Sequence, residues 1–253
     1  MTRVIKLGGR VQTDPSLPAA LAAAWIAAPS LVVVHGGGDE VSALQKAFGR
    51  ESQFVDGKRV TQLEDLDLLR MALSGSANQR LVAVMVAAGV PAVGITGEDA
   101  GMLCAVAESR TTMGEVGTPT SVDPALVEHL LAGGFCPVIS PLARDRDSIS
   151  GGVLNVNGDD AAAAIAAALQ ASELLLISDV EGVLIDGVAR SQLDADAARE
   201  CIRSGVARGG MAAKLEAALG ALTRGVARVR IGAVGALMDS TRGTMITLAG
   251  VTV

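Results

Sequence analysis

Short aliphatic runs alternate with longer alanine- and leucine-rich stretches along almost the whole chain. The runs fall at 4–7, 31–34, 92–95, 137–140, 174–177 and 229–231. They are predominantly apolar rather than alternating, which is the pattern of strands covered on both faces. The longer stretches fall at 17–28, 40–48, 63–74, 77–88, 124–131, 160–169, 194–204 and 211–223, and they read as helices. Such an alternation predicts an α/β fold: a three-layer sandwich with a mainly parallel central sheet between helices.

Composition narrows the function classes. Half of the 253 residues are hydrophobic, which excludes a disordered chain and supplies a sizeable core. No run of about 18 apolar residues occurs, and the N-terminus shows no secretion signal, so neither membrane insertion nor export is expected. Lys and Arg total 21 against 27 Asp and Glu, a net charge of −6, with one Trp, three Phe and no Tyr. Such a chain lacks both the basic footprint and the stacking platforms of a nucleic-acid binder. Cys104, Cys136 and Cys201 form neither a disulfide framework nor a zinc signature. They read as packing residues of a cytoplasmic protein. With only His35 and His129, a histidine metal site is not expected.

One segment breaks the rhythm. Residues 53–61 set Asp56-Gly57 between two β-prone runs, the signal of a β-hairpin, and this carries Arg59 on a flap. Residues 109–122, rich in Gly, Thr and Ser, are a second irregular zone with potential for further antiparallel structure. No linker is evident, and a domain boundary fits best near 151–157.

Glycine pairs and triplets punctuate the strand ends, where open α/β sheets bind ligands. Lys6-Leu7-Gly8-Gly9 closes the first strand. Gly lets the backbone approach a phosphate, and a Lys within a strand calls for a partner. A lysine reaching to solvent from a tight turn fits this motif equally well. His35-Gly36-Gly37-Gly38 closes the second strand. Three glycines exceed what a plain turn needs, and His35 reads as a structural residue that holds the turn. Neither a Walker A sequence nor G-x-G-x-x-G is present.

Asn155, Asn157 and Asp159 lie at period two before an alanine-rich helix. One cap needs one residue, so the surplus favours a polar site over capping alone. Gly209-Gly210-Met211 opens the last long helix. Lys214 lies one turn in, where a cation is unfavourable unless an anion binds there; a solvated lysine is the plain alternative. Ser178-Asp179-Val180-Glu181-Gly182-Val183 follows the fifth strand as an acidic loop, or as a turn with capping potential.

Together these motifs resemble the amino acid kinase family, and within it the N-acetylglutamate kinases. The resemblance runs nearly end to end and includes Gly57-Lys58-Arg59-Val60-Thr61. It implies an eight-stranded, mainly parallel sheet with an amino-acid lobe at 1–155, a hairpin lid near 52–61 and an ATP lobe at 156–253. It implies phosphoryl transfer from ATP to the γ-carboxylate of N-acetyl-L-glutamate, the second step of arginine biosynthesis. Lys6 and Lys214 would stabilise the transferring phosphoryl group, and Asp159 would hold both lysines. Gly8, Gly9, Gly36 and Gly37 would offer backbone N–H groups to phosphate and substrate. Arg59 would pair with the substrate α-carboxylate, and Asn155 would bind near the acetamido end. Ser178, Asp179, Gly182 and Leu184, with Gly209, Gly210 and Met211, would line the nucleotide site. Mg²⁺ would ride on the ATP phosphates, with no protein metal ligand.

This casting fits the chemistry. A carboxylate nucleophile is already ionised at pH 7, so no general base is needed. The protein has only to align two anions and neutralise their repulsion. The sequence departs from the family pattern at Arg10, Asp39 and Gly158, and activity is expected to survive these changes. It also begins directly at the first strand, without the N-terminal helix of arginine-inhibited relatives, so an arginine-insensitive homodimer is expected. The competing readings are a kinase for carrier-protein-bound aminoadipate or glutamate, a non-catalytic amino-acid sensor on the same fold, and a Rossmann oxidoreductase.

Overall fold

The computed structural model describes residues 1–55 and 57–248. Its strands, in chain order, begin with β1 (Arg3–Leu7), β2 (Leu31–His35), β3 (Gln53–Val55), β4 (Lys58–Val60) and β5 (Ala92–Thr96). They continue with β6 (Leu103–Ala107), β7 (Val116–Val122), β8 (Cys136–Ser140), β9 (Leu142–Asp145), β10 (Val153–Val156) and β11 (Glu173–Ile177). The last five are β12 (Leu184–Ile185), β13 (Val188–Ala189), β14 (Gln192–Asp194), β15 (Val229–Gly232) and β16 (Thr244–Thr247). The helices are α1 (Leu17–Ala27), α2 (Gly38–Ala47), α3 (Leu66–Leu69), α4 (Asn78–Ala87), α5 (Ala125–Ala132), α6 (Gly158–Ala168), α7 (Ala195–Arg203) and α8 (Gly210–Thr223).

Eight strands form the central sheet in the order β14-β16-β15-β11-β1-β2-β8-β5. Six of them, from β15 to β5, run parallel; β16 pairs antiparallel with β15, and β14 follows β16. Every aliphatic run expected to be a strand is one of these six. Their side chains divide by period two between the two faces. Val4, Val34, Leu174, Leu176 and Ile231 pack with the alanines of α6 and with α8. Ile5, Leu7, Val33, Val138, Leu175 and Ile177 pack with α1, α4 and the turn at 234–237. Helices on both sides therefore explain why the strands read as predominantly apolar runs. Truncating one of these fully buried side chains, for example Leu175→Ala, costs about 2–5 kcal/mol.

The irregular middle of the chain forms a second, smaller sheet that packs on α6 in the same core. Strands β6, β7, β9 and β10 close into a small barrel. The antiparallel structure expected within 109–122 is β7 against β6. Closure draws the strands tightly together: a methyl group on Gly117 would lie 2.8 Å from the Leu154 side chain. Strands β3 and β4 form the expected hairpin, with Gly57 at φ +79. Asp56, the first half of the turn signal, lies outside the described residues.

The helices expected at 63–74 and 77–88 are one rod. Between α3 and α4, residues Arg70–Ala77 wind as a π-helix with right-handed helical backbone at both joins. The wider turn brings Leu73 against the glycine triplet: a methyl on Gly37 would lie 2.8 Å from Leu73 Cδ2.

Candidate active site

Lys6 shares a sheet face with Val4, so its side chain points at the start of α6. The helix can approach because Ala161, Ala162 and Ala163 are fully buried and small. Asn157 caps α6, its side-chain oxygen accepting from the Asp159 N–H at 2.8 Å. That cap fixes Asp159 in the first turn, facing β1. Lys6 Nζ lies 2.9 Å from one Asp159 carboxylate oxygen and Lys214 Nζ lies 3.0 Å from the other. All three residues are buried. Burial pushes the Asp159 carboxyl up, but the two ammonium groups outweigh it and hold the carboxyl below its usual range. Burial lowers the Lys6 pKa, the like charge of Lys214 adds to this, and Asp159 only partly opposes it. The trio carries one net positive charge, set between two cavities.

The first cavity, about 220 Å³, is bounded by Lys6, Gly36, Gly37, Arg59, Asn155 and Asp159. Arg59, on β4, is 9% exposed. Its guanidinium donates to Gln45 Oε1 (2.7 Å), Ser52 Oγ (2.6 Å), the Gly38 carbonyl (2.7 Å) and Ser42 Oγ (2.8 Å). The Phe54 ring covers it at 4.7 Å. All four acceptors are neutral, so among the described residues this buried cation has no bonded anion. Asn155 donates to Thr61 Oγ1 at 2.9 Å. Thr61 closes the Gly57-Lys58-Arg59-Val60-Thr61 motif, whereas Gln45, Ser42 and Ser52 carry no motif signal in the sequence, and only folding gathers them around Arg59.

The second cavity, about 370 Å³, adjoins the first at Lys6, Gly9 and Gly38. Gly8, Ser178, Asp179, Gly210, Met211 and Lys214 bound it as well. The Ser178 hydroxyl is buried with no hydrogen-bond partner among the described residues. Buried polar groups without partners are costly, so a ligand donor or acceptor fits there. Arg10 stands at the mouth, 3.4 Å from Asp179 and 3.7 Å from Asp39. Two of the three departures from the family pattern are thus paired with each other. Among the described residues, no group of three or more His, Cys, Asp or Glu is placed to hold a metal.

The geometry separates the expected site residues. The N–H groups of Gly8 and Gly36 are engaged by the sheet, donating to the Ile177 carbonyl (3.0 Å) and the Leu7 carbonyl (2.9 Å). Gly9, Gly37 and Gly38 donate to no acceptor among the described residues, so in each motif the glycines after the first are the ones free to bind. Gly182, Leu184 and Gly209 do not line the second cavity. Gly182 packs on Thr244, where a methyl would lie 2.6 Å from Oγ1. Leu184 is half exposed in the β12–β13 hairpin. Gly209 borders a groove beneath the β3–β4 hairpin.

His35 holds the turn, as expected. Its Nδ1–H donates to the Gly36 carbonyl at 2.8 Å, and Nε2 accepts from Asn78 at 3.1 Å. Burial lowers its pKa to about 4, so it is neutral at pH 7. Cys136 is buried in the sheet core, its thiol pushed up to about 12 by burial, and is inert packing.

Comparison with known proteins agrees with this geometry. Residues 1–233 match the family described as the amino acid kinase family. The acetylglutamate kinase of Chloroflexus aurantiacus is 43% identical over 240 residues, covering 93% of each chain. That of Ruegeria pomeroyi is 42% identical over 234 residues, covering 90% of this chain and 80% of its own. Among solved structures, a Streptococcus mutans protein matches with a TM-score of 0.85 at 28% identity, covering 97% of this chain and 98% of its own. The N-acetylglutamate synthase of Neisseria gonorrhoeae, solved with coenzyme A and N-acetyl-glutamate, matches with a TM-score of 0.80 at 27% identity, covering 97% of this chain and 59% of its own. Sequence, sheet order and site geometry converge: the chain belongs to the amino acid kinase family.

Proposed function

We propose that this chain transfers the γ-phosphoryl group of ATP to the γ-carboxylate of N-acetyl-L-glutamate, yielding ADP and N-acetylglutamyl 5-phosphate in the second step of arginine biosynthesis. The observation that carries this reading is Arg59, a buried guanidinium bonded to neutral partners among the described residues, beside the Lys6–Asp159–Lys214 trio. Arg59, whose terminal N–H groups are engaged by Gln45, Ser52, Gly38 and Ser42, takes the substrate α-carboxylate by exchanging neutral acceptors for it. Asn155 takes the acetamido end. The γ-carboxylate then points at the junction of the cavities, where Lys6 and Lys214 meet the phosphoryl group. Their positive charge stabilises the equatorial oxygens as the bond to ADP loosens. Asp159 keeps both ammonium groups aimed there, and the free N–H groups of Gly9 and Gly37 complete the cradle.

ATP occupies the second cavity against Ser178, Gly210 and Met211. Mg²⁺ would be carried by the nucleotide phosphates and neutralise part of their charge. Residues 1–155 form the amino-acid lobe with the hairpin as lid, and 156–253 the nucleotide lobe. A homodimer in the cytoplasm completes the reading. Strand β5 ends the central sheet, and Met71 and Val86 on the adjoining rod are exposed and apolar, which suits a second copy.

The test is a coupled ADP-release assay with Mg²⁺-ATP and hydroxylamine to trap the acyl phosphate. N-acetylglutamate, glutamate, N-acetylaspartate and aminoadipate are compared. Hydroxamate formed from N-acetylglutamate alone is the expected result. No turnover in a folded sample that binds ATP sinks the proposal.

A further inference from the structure

The hairpin carries a second basic residue beside Arg59. Adjacent residues on a strand point to opposite sides, so the Lys58 ammonium turns away from the Arg59 cluster, and the residue borders both the first cavity and the groove beneath the hairpin. Its Nζ lies 2.6 Å from Glu108 Oε1 and 3.6 Å from Asp160 Oδ2. Glu108 is anchored to the barrel, where Thr118 Oγ1 donates to its carboxylate at 2.9 Å. Asp160 is the residue after Asp159 in the first turn of α6. The hairpin tip touches a third element: a methyl on Gly57 would lie 3.3 Å from the Gly209 carbonyl carbon at the start of α8. Lys58, Glu108 and Asp160 are all partly shielded from solvent, with side chains 26%, 21% and 29% exposed.

We propose that Lys58 is a positioning residue: its ion pairs with Glu108 and Asp160 fasten the β3–β4 hairpin across the cleft, and so hold Arg59 at the first cavity. The base of the hairpin is held by the Arg59 hydrogen bonds and by Val60 and Thr61 against residues 113–116, which leaves the Lys58 pairs to fasten its outer part. Gln53, Phe54 and Val55 of β3 are exposed, and a two-stranded hairpin is marginal alone. Lys58 also links the hairpin to the turn of α6 that carries Asp159. Lid position and the lysine-holding carboxylate are therefore joined through two consecutive residues of one helix. The effect falls on amino-acid binding, since Lys58 touches neither Lys6 nor Lys214.

This inference rests on N-acetylglutamate being the substrate, and its test has one arm that needs no substrate. Lys58→Met keeps the apolar stem and removes the charge. Hydrogen exchange of the hairpin amides at 53–60 is expected to quicken about tenfold in Lys58→Met, less in Asp160→Asn and Glu108→Gln, and to return towards wild type in Lys58→Arg. In the same variants, KM for N-acetylglutamate is expected to rise about tenfold in Lys58→Met, with kcat and the KM for ATP within about twofold. Unchanged exchange in Lys58→Met overturns the latch, and so does a uniform loss of kcat with a lowered melting temperature. If wild type fails to phosphorylate N-acetylglutamate yet Lys58→Met loosens the hairpin, the substrate reading falls and the latch stands.

Discussion

Strand β1 carries two ion clusters of the same make-up at its two ends, one of them buried throughout and the other largely so, and they are used differently. At its beginning, Arg3 and Arg230 share Glu173; near its far end, Lys6 and Lys214 share Asp159. Each cluster has one carboxylate and two cations, hence one net positive charge. In the arginine cluster the surplus is absorbed by the protein. Arg230 donates to Glu173 at 2.7 Å and also to the carbonyls of Ala236, Asp239 and Arg242. It therefore ties down the 236–242 segment under the sheet. In the lysine cluster each ammonium gives one contact to Asp159 and turns its remaining donors towards the cavities. A compact ammonium with rotatable donors suits a group that changes position, whereas a rigid guanidinium fork suits fixed carbonyls. Unanswered donors, rather than buried charge itself, mark the functional cluster.

Breaking the arginine cluster gives the largest effect. Glu173→Ala leaves the buried Arg230 guanidinium and the partly buried Arg3 guanidinium without their carboxylate and is expected to cost about 3–5 kcal/mol of stability. Turnover per folded molecule stays near wild type, because the cluster lies at the opposite strand ends from the cleft. Urea unfolding and kcat at 25 °C on the same sample check this. A loss of kcat in fully folded protein contradicts the division of labour.

Lys214→Ala is the converse. Removing one donor aimed at developing charge lowers kcat by about 100- to 1000-fold. Asp159 keeps Lys6 as a partner, so the unfolding midpoint shifts little. Equal losses in stability and turnover would make both clusters structural.

Arg59→Met comes next. A hydrogen-bonded charge contributes about 1.5–3 kcal/mol, so KM for N-acetylglutamate is expected to rise about 10- to 100-fold with kcat largely kept. The four neutral acceptors around it then lose a donor but leave no buried charge behind. Steady-state kinetics across both substrates separate this from Lys214→Ala.

The two clusters also differ in how far they can be read from the sequence. Lys6 and Lys214 stand out because each sits beside a glycine pair at a strand end or helix start, where a phosphate belongs. Glu173, Arg3 and Arg230 give no such signal: Arg3 and Glu173 are polar residues at the edge of an aliphatic run, which read as ordinary strand termini, and Arg230 stands inside a short run with no glycine motif beside it. Only the sheet order brings them together, since β1, β11 and β15 are neighbours in space but far apart in the chain. The parallel strands were legible because burial on both faces leaves a predominantly apolar run. The barrel was not, because β9 and β10 are four residues each and carry Arg144, Asp145 and Asn155 among their apolar positions. Of the glycine motifs, location was legible but the division of donors was not: the ladder runs one residue beyond β1 and β2 and engages Gly8 and Gly36.

Glu173→Gln sharpens the comparison with the smallest effect. Burial pushes the Glu173 carboxyl up, but hydrogen bonding and attraction from Arg230 and Arg3 outweigh it and hold the carboxyl below its usual range. Its folded pKa therefore lies below the unfolded value of about 4.3. As the pH falls, the unfolded chain takes up the proton first, so the stabilisation present at neutral pH is lost as the pH drops through the folded value. The stability gap between wild type and Glu173→Gln should be constant from pH 7 to about 5 and shrink below about 4.3, the unfolded value. Every other carboxylate cancels in that difference, including Asp159, so urea unfolding of the pair from pH 7 to 3 isolates the arginine cluster. A gap that stays constant down to pH 3 would mean that the two guanidinium groups do not stabilise the carboxylate. The likeness between the two clusters would then be one of geometry alone.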